Sequence, residues 1–448
     1  IKIDNDTSLY AGYDINYDNL FVYTINDDDT VKLDGVIAEN LIWELELTIP
    51  KTIKLYPVVE IGDYFMDKDQ TGMASFFFIN TVTFEEGSMV KTIGNYAFEN
   101  LRASQFILPD TIEKIGDYAF SCTSFSGNFT APSNLTRIGE FAFQFCYSII
   151  ELDFSNCSKL SYIGKSAFYN CSLIQHLQLP EGLETIGRNS FDSCSNVIDV
   201  TIPSTLSNIG LASFKNMPNL TAFYVSEDNQ YYSSYNGNLY SKKQDIFYRY
   251  CYAKKDDVFT LPDSVTTIYE SAFDITNEIC YLKQINFGKS LNYIGGEAFK
   301  HCTASFELPA SLTNFSTTAF FGWKGDSFKI DSNNPKFTVI DGMLLSKDEK
   351  ELYSVPCLYK ESVIIPDSVE TIKSGAMIEL DNVKYIFITK NSNLKRINES
   401  GLVPFKMPSL IAIYINKVEP FAIDNSALYY NFSNDFDYKS FVVLFPDD

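Results

Sequence analysis

Nine cysteines and two histidines are the residues of this 448-residue chain most capable of nucleophilic or metal chemistry, and their spacing supports neither. Cys122, Cys146, Cys171, Cys194 and Cys302 recur in one phase, seven or eight residues after an Ile that marks a repeat. Equal phase stacks them in a column. In-register side chains on parallel neighbours rarely meet disulfide geometry, so buried thiols serving as small apolar fillers are expected. Cys157, Cys251, Cys280 and Cys357 lie off that phase, and the odd total leaves at least one free thiol. No Cys-x-x-Cys pair offers a zinc site. His176 and His301 leave little room for triads or metal cages. There is no phosphate-cradling Gly loop, no Gly-x-Ser-x-Gly and no His-Glu-x-x-His. Asp67-x-Asp69-x-Thr71-Gly72 opens like a calcium loop, but Phe78 stands where the bidentate acid belongs. Asp27-Asp28-Asp29 reads as a solvated turn. No catalytic residue, metal or cofactor is expected. Asn-x-Ser/Thr sequons at nine positions, Asn5 to Asn431, would matter only after export through an ER.

Composition narrows the partners. Lys and Arg number 35 and Asp and Glu 57, a net charge of −22. Nucleic acid and anionic lipid both require clustered basic residues, so neither is a partner. The 68 aromatic residues and 45% hydrophobic content exclude disorder. No run of ~18 apolar residues could cross a membrane as a helix. The start, Ile1-Lys2-Ile3-Asp4, has neither Met nor a signal-peptide pattern and looks like a mature or trimmed chain.

The elements that position these residues form a repeat. Ile-Gly-x-x-Ala-Phe recurs as Ile93-Gly94…Ala97-Phe98, Ile115-Gly116…Ala119-Phe120, Ile138-Gly139…Ala142-Phe143 and Ile163-Gly164…Ala167-Phe168. With its variants through Ile397-Asn398 it occurs twelve times, at steps of 22 to 25 residues between Ile93 and Ile209. Most copies follow an apolar-x-apolar-Pro run such as Leu177-Gln178-Leu179-Pro180. Period-two alternation makes that run a short strand, and Pro ends it. A strand within a 20–29-residue period is the leucine-rich-repeat class. Ala-Phe-x-x-Cys suits a short helical or 3₁₀ turn on the opposite side, with the Gly of Ile-Gly at a positive-φ corner. Two steps, Ile209 to Ile268 and Phe315 to Ile372, are about 35 residues too long. They share a motif, Asn236-Gly237…Ser241-Lys242 and Asp341-Gly342…Ser346-Lys347, that reads as a type I′ hairpin. These hairpins either project as lips or join the array as longer repeats. The expected organisation is one continuous domain. An N-terminal hairpin cap spans 1–46, a solenoid of about twelve repeats spans 47–415 with insertions near 225–256 and 328–360, and a C-terminal cap spans 416–448.

The full pattern, best seen from Leu177 to Cys194, resembles the BspA-like leucine-rich-repeat family of bacterial and trichomonad-type surface proteins. The resemblance covers residues 47–415. It implies an α/β right-handed solenoid, a horseshoe or superhelix with a parallel sheet on its concave face. It also implies an extracellular or cell-surface location and adhesin-like binding of a protein or glycan on another cell, by a monomer. On such a sheet one outward row holds Thr130, Asp153, Gln178, Thr201, Thr260, Asn286 and Glu307. The neighbouring row holds Gln105, Asn128, Glu151, His176, Asp199, Val258, Gln284 and Ser305. Asp153, Gln178, Thr201, Glu151, His176, Asp199, Thr260, Asn286 and Glu307 are the candidate binding residues. Both rows lack aromatic anchors, which the hairpin cluster Tyr231, Tyr232, Tyr235 and Tyr240 would have to supply. A self-associating coat protein is the runner-up reading, and an enzyme on a solenoid scaffold stands third.

Overall fold

A computed structural model describes residues 19–37, 46–66, 79–275, 281–403, 406–417, 419–424 and 442–444. The calcium-like segment at 67–72, Cys280, and the sequons at Asn5 and Asn431 lie outside the described residues. The chain forms two compact units, residues 1–171 and 172–448, a division that the unbroken repeat phase does not announce. Both are built as a β-solenoid with no α-helix among the described residues.

In the first unit, Phe21–Ile25 pairs antiparallel with Val31–Val36, which pairs parallel with Tyr56–Ile61. From there a ladder of two-residue strands runs through Thr92–Ile93, Lys114–Ile115, Arg137–Ile138 and Tyr162–Ile163. These are the strands of the Ile-Gly signature, here called the rear ladder. A front ladder is made by the strands that precede it in each repeat: Glu46–Ile49, Thr81–Phe84 and Gln105–Phe106, then Gly127–Thr130 with Ile149–Asp153. Each coil thus contributes to two parallel ladders, where the sequence pointed to one. The second arises because the residue before Ile and the Ile itself are extended and bond to both neighbouring coils.

The second unit repeats this plan. Its front strands are His176–Gln178, Asp199–Ile202 and Ala222–Val225; Val258–Thr260, Gln284–Asn286 and Ser305–Phe306; and Ser362–Ile364, Tyr385–Ile388, Ala412–Ile415 and Val442–Leu444. Each long step folds as a three-stranded antiparallel meander. Tyr232–Tyr235, Asn238–Ser241 and Ile246–Arg249 make the first, and Phe337–Ile340, Met343–Ser346 and Glu351–Ser354 the second. The last strand of each meander pairs parallel with the next rear strand, so the extra chain joins the rear ladder.

The Ala-Phe segment is not helical. In the coils from Ile93 to Ile209 and at Ile294, two non-glycine residues, three and seven after the Ile, sit at φ near +55°, as in Tyr96 and Asn100, Tyr118 and Cys122, and Phe141 and Phe145. Left-handed backbone at both positions prevents a helix, at roughly 1–2 kcal/mol each. Hydrogen bonds between coils offset that cost. Tyr96, Phe98 and Asn100 donate their N–H groups to the carbonyls of Asp117, Ala119 and Ser121 in the following coil, at 2.8–2.9 Å. Tyr118, Phe120 and Cys122 do the same to Glu140, Ala142 and Gln144. The turns therefore form a third ladder, whose N–H groups point to the following coil. The Gly94 and Gly116 N–H groups of the rear ladder point the other way, to Ile61 and Ile93 in the preceding coil.

The Ile-Gly glycine also departs from expectation. None of Gly94, Gly116, Gly139 and Gly164 has positive φ. A Cβ on Gly139 would lie 2.5 Å from the backbone carbon of Gly116, and one on Gly164 2.5 Å from that of Gly139. Glycine is needed there for close approach between coils.

Phenylalanine fills much of both cores, except in the last coils of the second unit, where Met377, Leu380 and Leu402 take its place. Phe98, Phe120, Phe143 and Phe168 are buried and stack at centroid distances of 5.1–5.3 Å in the first unit. Phe273, Phe299 and Phe320 stack at 5.5 and 6.0 Å in the second. Full burial of each contributes roughly 1.5–3 kcal/mol.

Candidate binding surface

Front strands point alternate side chains outward, and their register fixes which outward residues meet. In the first unit Glu151 stands beside Asn128 and Asp153 beside Thr130. In the second, His176 pairs with Asp199 and Gln178 with Thr201. A separate front ladder carries Thr260 beside Asn286, with Glu307 exposed just after the Ser305–Phe306 strand. The candidates therefore occupy three ladders. Within the second unit the first meander interrupts the front face between Ala222–Val225 and Val258–Thr260.

Many of these groups satisfy one another. Asn128 Nδ2 donates to Glu151 at 2.7 Å, and His176 Nδ1 lies 2.8 Å from Asp199. Asn286 Nδ2 donates to Thr260 Oγ1 at 3.1 Å, and its own Oδ1 accepts from Gln284 at 2.6 Å. The Ser155 hydroxyl and N–H hold the Asp153 carboxyl below its ordinary value. The Gln178 and Thr201 side chains face solvent without such ties to each other.

Sequence reasoning missed Tyr224. It pairs with Thr201 in the same outward row and is 59% exposed. Its strand leads into the first long step and is not followed at repeat distance by an Ile-Gly signature, which hid its phase. The expected tyrosine cluster splits in two. Tyr231 and Tyr235 are exposed, whereas Tyr232 and Tyr240 are buried. The Tyr232 hydroxyl accepts from the Ile209 N–H at 2.9 Å, so that ring is structural. Two grooves lie on the second-unit front face. One of about 410 Å³ is lined by Asn286, Glu307, Lys289 and Lys329. The other, of about 860 Å³, is lined by Tyr235, Asn236, Lys254, Asp256, Val258 and Thr260.

The cysteine column holds four members, not five. Cys146, Cys171, Cys194 and Cys302 are buried eight residues after their Ile, while Cys122 comes seven after and is exposed at a left-handed position. Cys146 and Cys171 donate to the carbonyls of Phe120 and Phe143, both at 3.1 Å. Burial pushes the thiols of Cys146, Cys251 and Cys357 up to about 12 and that of Cys157 to about 11, so all four stay protonated. Among the described residues no three acids, histidines or cysteines could jointly hold a metal, and no helix is long and apolar enough to cross a membrane.

The pattern of the BspA-type leucine-rich-repeat region matches in six copies over residues 71–156, 125–241, 157–279, 243–338 and 349–440. The chain belongs to the BspA-type leucine-rich-repeat family. Its fold is similar to that of the pneumococcal vaccine antigen PcpA, at 20% identity and a TM-score of 0.52, covering 92% of this chain and 90% of that one. A leucine-rich-repeat protein from Eubacterium ventriosum gives 17% identity and a TM-score of 0.51, covering 94% and 95%. A leucine-rich cell surface protein from Faecalibacterium prausnitzii gives 19% identity and a TM-score of 0.49, covering 88% and 93%. No curated protein matches. As a BspA-type chain, the protein is a leucine-rich-repeat β-solenoid.

Proposed function

We propose that this BspA-type chain is a non-enzymatic, extracellular or cell-surface protein that binds a protein or glycan on another cell through its front face. The observation that carries the reading is the second-unit row Gln178, Thr201 and Tyr224, in register on adjacent strands. Two uncharged hydrogen-bonding side chains and an exposed aromatic ring combine the polar contacts and the anchor that recognition surfaces use. Asp153 belongs to the corresponding row of the first unit and Glu151 to the neighbouring row, while Thr260, Asn286 and Glu307 belong to the next ladder of the second unit. The test is capture of host surface proteins and glycans by the wild type, by Thr201→Arg and by Tyr224→Ala. Both variants should fold and lose at least tenfold in affinity. Equal binding by both would sink the front-row reading.

One observation favours the coat-protein alternative. At the C-terminal end of the second unit the outward row becomes Ile364, Phe387, Tyr414 and Leu444, with Phe387 and Tyr414 stacked at 4.8 Å. Light scattering of wild type and Phe387→Lys against concentration separates the readings. Assemblies that Phe387→Lys dissolves would favour the coat, and monomers throughout would favour the binding protein.

A further inference from the structure

The first insertion leaves a strand edge open. Val258–Thr260 pairs with Gln284–Asn286 on one side, and among the described residues no strand pairs with its other side. A parallel ladder directs alternate residues to alternate edges. The Asp257 carbonyl accepts from Lys283 and Gln284, and the Leu261 N–H donates to Asn286, so odd-numbered residues face the Gln284–Asn286 strand. The N–H and C=O groups of Val258 and Thr260 therefore face the opposite edge, toward the groove of about 860 Å³ that both residues line. The Asn236-Gly237 turn takes the place of a front strand at this step. The Phe223 N–H donates to the Gly237 carbonyl, which closes the facing edge of Ala222–Val225 and leaves that of Val258–Thr260. The charges around the groove are committed. Lys254 Nζ donates to the Asn236 carbonyl, the Tyr250 hydroxyl donates to Asp256 at 3.0 Å, and Lys283 pairs with Asp257 at 3.0 Å. An occupant must match two donors and two acceptors at strand spacing in a neutral setting. Tyr235 and Val258, half-exposed at 48% and 51%, present apolar surface beside them.

We infer that the Val258–Thr260 edge captures an extended, weakly charged segment of a partner polypeptide, which adds to the front ladder as a strand. Backbone bonds supply affinity, and Tyr235 and Val258 select small or β-branched side chains. This goes beyond the front-row proposal, because it uses the edge of the sheet instead of its face.

Hydrogen exchange on the full chain is the first test. Without ligand, the Val258 and Thr260 amides should exchange quickly while that of Phe259 is protected. The second test selects peptides from a phage-displayed library of random nonapeptides. Selected peptides should slow the Val258 and Thr260 amides at least tenfold. Their binding should fall at least tenfold in Thr260→Pro and in Val258→Pro, neither of which removes a bond to Gln284–Asn286. The Phe259 amide should stay protected in both proline variants, which shows that the ladder to Gln284–Asn286 is intact. Protected Val258 and Thr260 amides in the free protein would overturn the inference. So would failure to select any peptide, equal binding by both proline variants, or a groove that takes only neutral oligosaccharides or a second copy of the chain. Peptides lost in Thr201→Arg but kept in both proline variants would overturn it while supporting the front row.

Discussion

Gly139 and Gly87 separate two reasons for being glycine. Gly87 has φ +81° and open space where a Cβ would stand, whereas Gly139 has ordinary φ and no space. Gly87→Ala should cost about 1 kcal/mol through backbone strain. Gly139→Ala should cost about 1–3 kcal/mol or more, because two coils must part. Urea unfolding of both variants checks the order. Two buried aspartates of the second unit are expected to behave oppositely. Burial alone would raise the Asp274 carboxyl, but the His301 contact and Lys215, at 2.9 Å, hold it below the ordinary value. Its stabilisation is therefore present above about pH 4 and is lost as pH falls through the lowered value. Asp274→Asn should cost about 1–3 kcal/mol at pH 7, because it leaves Lys215 with Glu297 alone, at 3.5 Å, and the difference from wild type should shrink in acid. Burial raises the Asp192 carboxyl despite hydrogen bonds from Ser193 and Asn216 and the charge of Lys215. Its favourable contribution lies below the ordinary carboxylate value and disappears as pH rises through the raised one. Asp192→Asn should thus be tolerated at pH 7, within about 1 kcal/mol. Thermal unfolding of both variants at pH 7 and pH 4 tests the pair. At the thiols, brief iodoacetamide treatment of native protein should label Cys122 and spare Cys146, Cys171, Cys194 and Cys302, as peptide mass mapping would show.

Each meander is anchored by an asparagine. Asn229 Nδ2 donates to the carbonyls of Pro203 and Leu206, and its Oδ1 accepts from the N–H groups of Tyr231 and Tyr232. Asn334 repeats all four bonds with Pro309, Leu312, Lys336 and Phe337. Alanine at either position leaves buried backbone groups unpaired and should cost about 2–3 kcal/mol. Denaturant titration of Asn229→Ala and Asn334→Ala should give similar losses. These anchors were legible in principle, since both lie seven residues before the Asn-Gly or Asp-Gly turn. The coil period, the front strands and their outward rows could be read from period-two alternation and Pro, because side-chain direction in a strand follows position alone. The turn ladder could not. Ala-Phe-x-x-Cys has helical spacing, and only bonds to the next coil, which no local pattern encodes, make left-handed Tyr118 and Cys122 affordable. The open edge at Val258–Thr260 was hidden for the same reason: pairing is a property of neighbouring coils. Tyr224 was hidden because the first long step follows its strand where an Ile-Gly signature would otherwise stand, and Cys122 was misplaced by one residue.

For the whole molecule, the net charge of −22 predicts long-range attraction to basic partners. Association with polylysine should be measurable at low ionic strength and fall off steeply once the Debye length drops below roughly 10 Å, near 0.1 M salt. Binding insensitive to salt would show that the charge is too dispersed to act. The outward front row also varies within one scaffold, from polar at Gln178 and Thr201 to apolar at Ile364 and Phe387, so surface chemistry changes while the front ladder is kept. The opposed directions of the rear and turn ladders have an electrical consequence. In an α-helix every peptide dipole adds, and charge accumulates at the ends. In these stacks the Gly N–H groups of one ladder point toward the preceding coil, and the Tyr, Phe and Asn N–H groups of the turns toward the following one. Their dipoles largely oppose along the stacking direction. A further coil therefore adds little polarisation to the end of a stack, and repeat number can change by duplication or loss without an electrostatic penalty that grows with length.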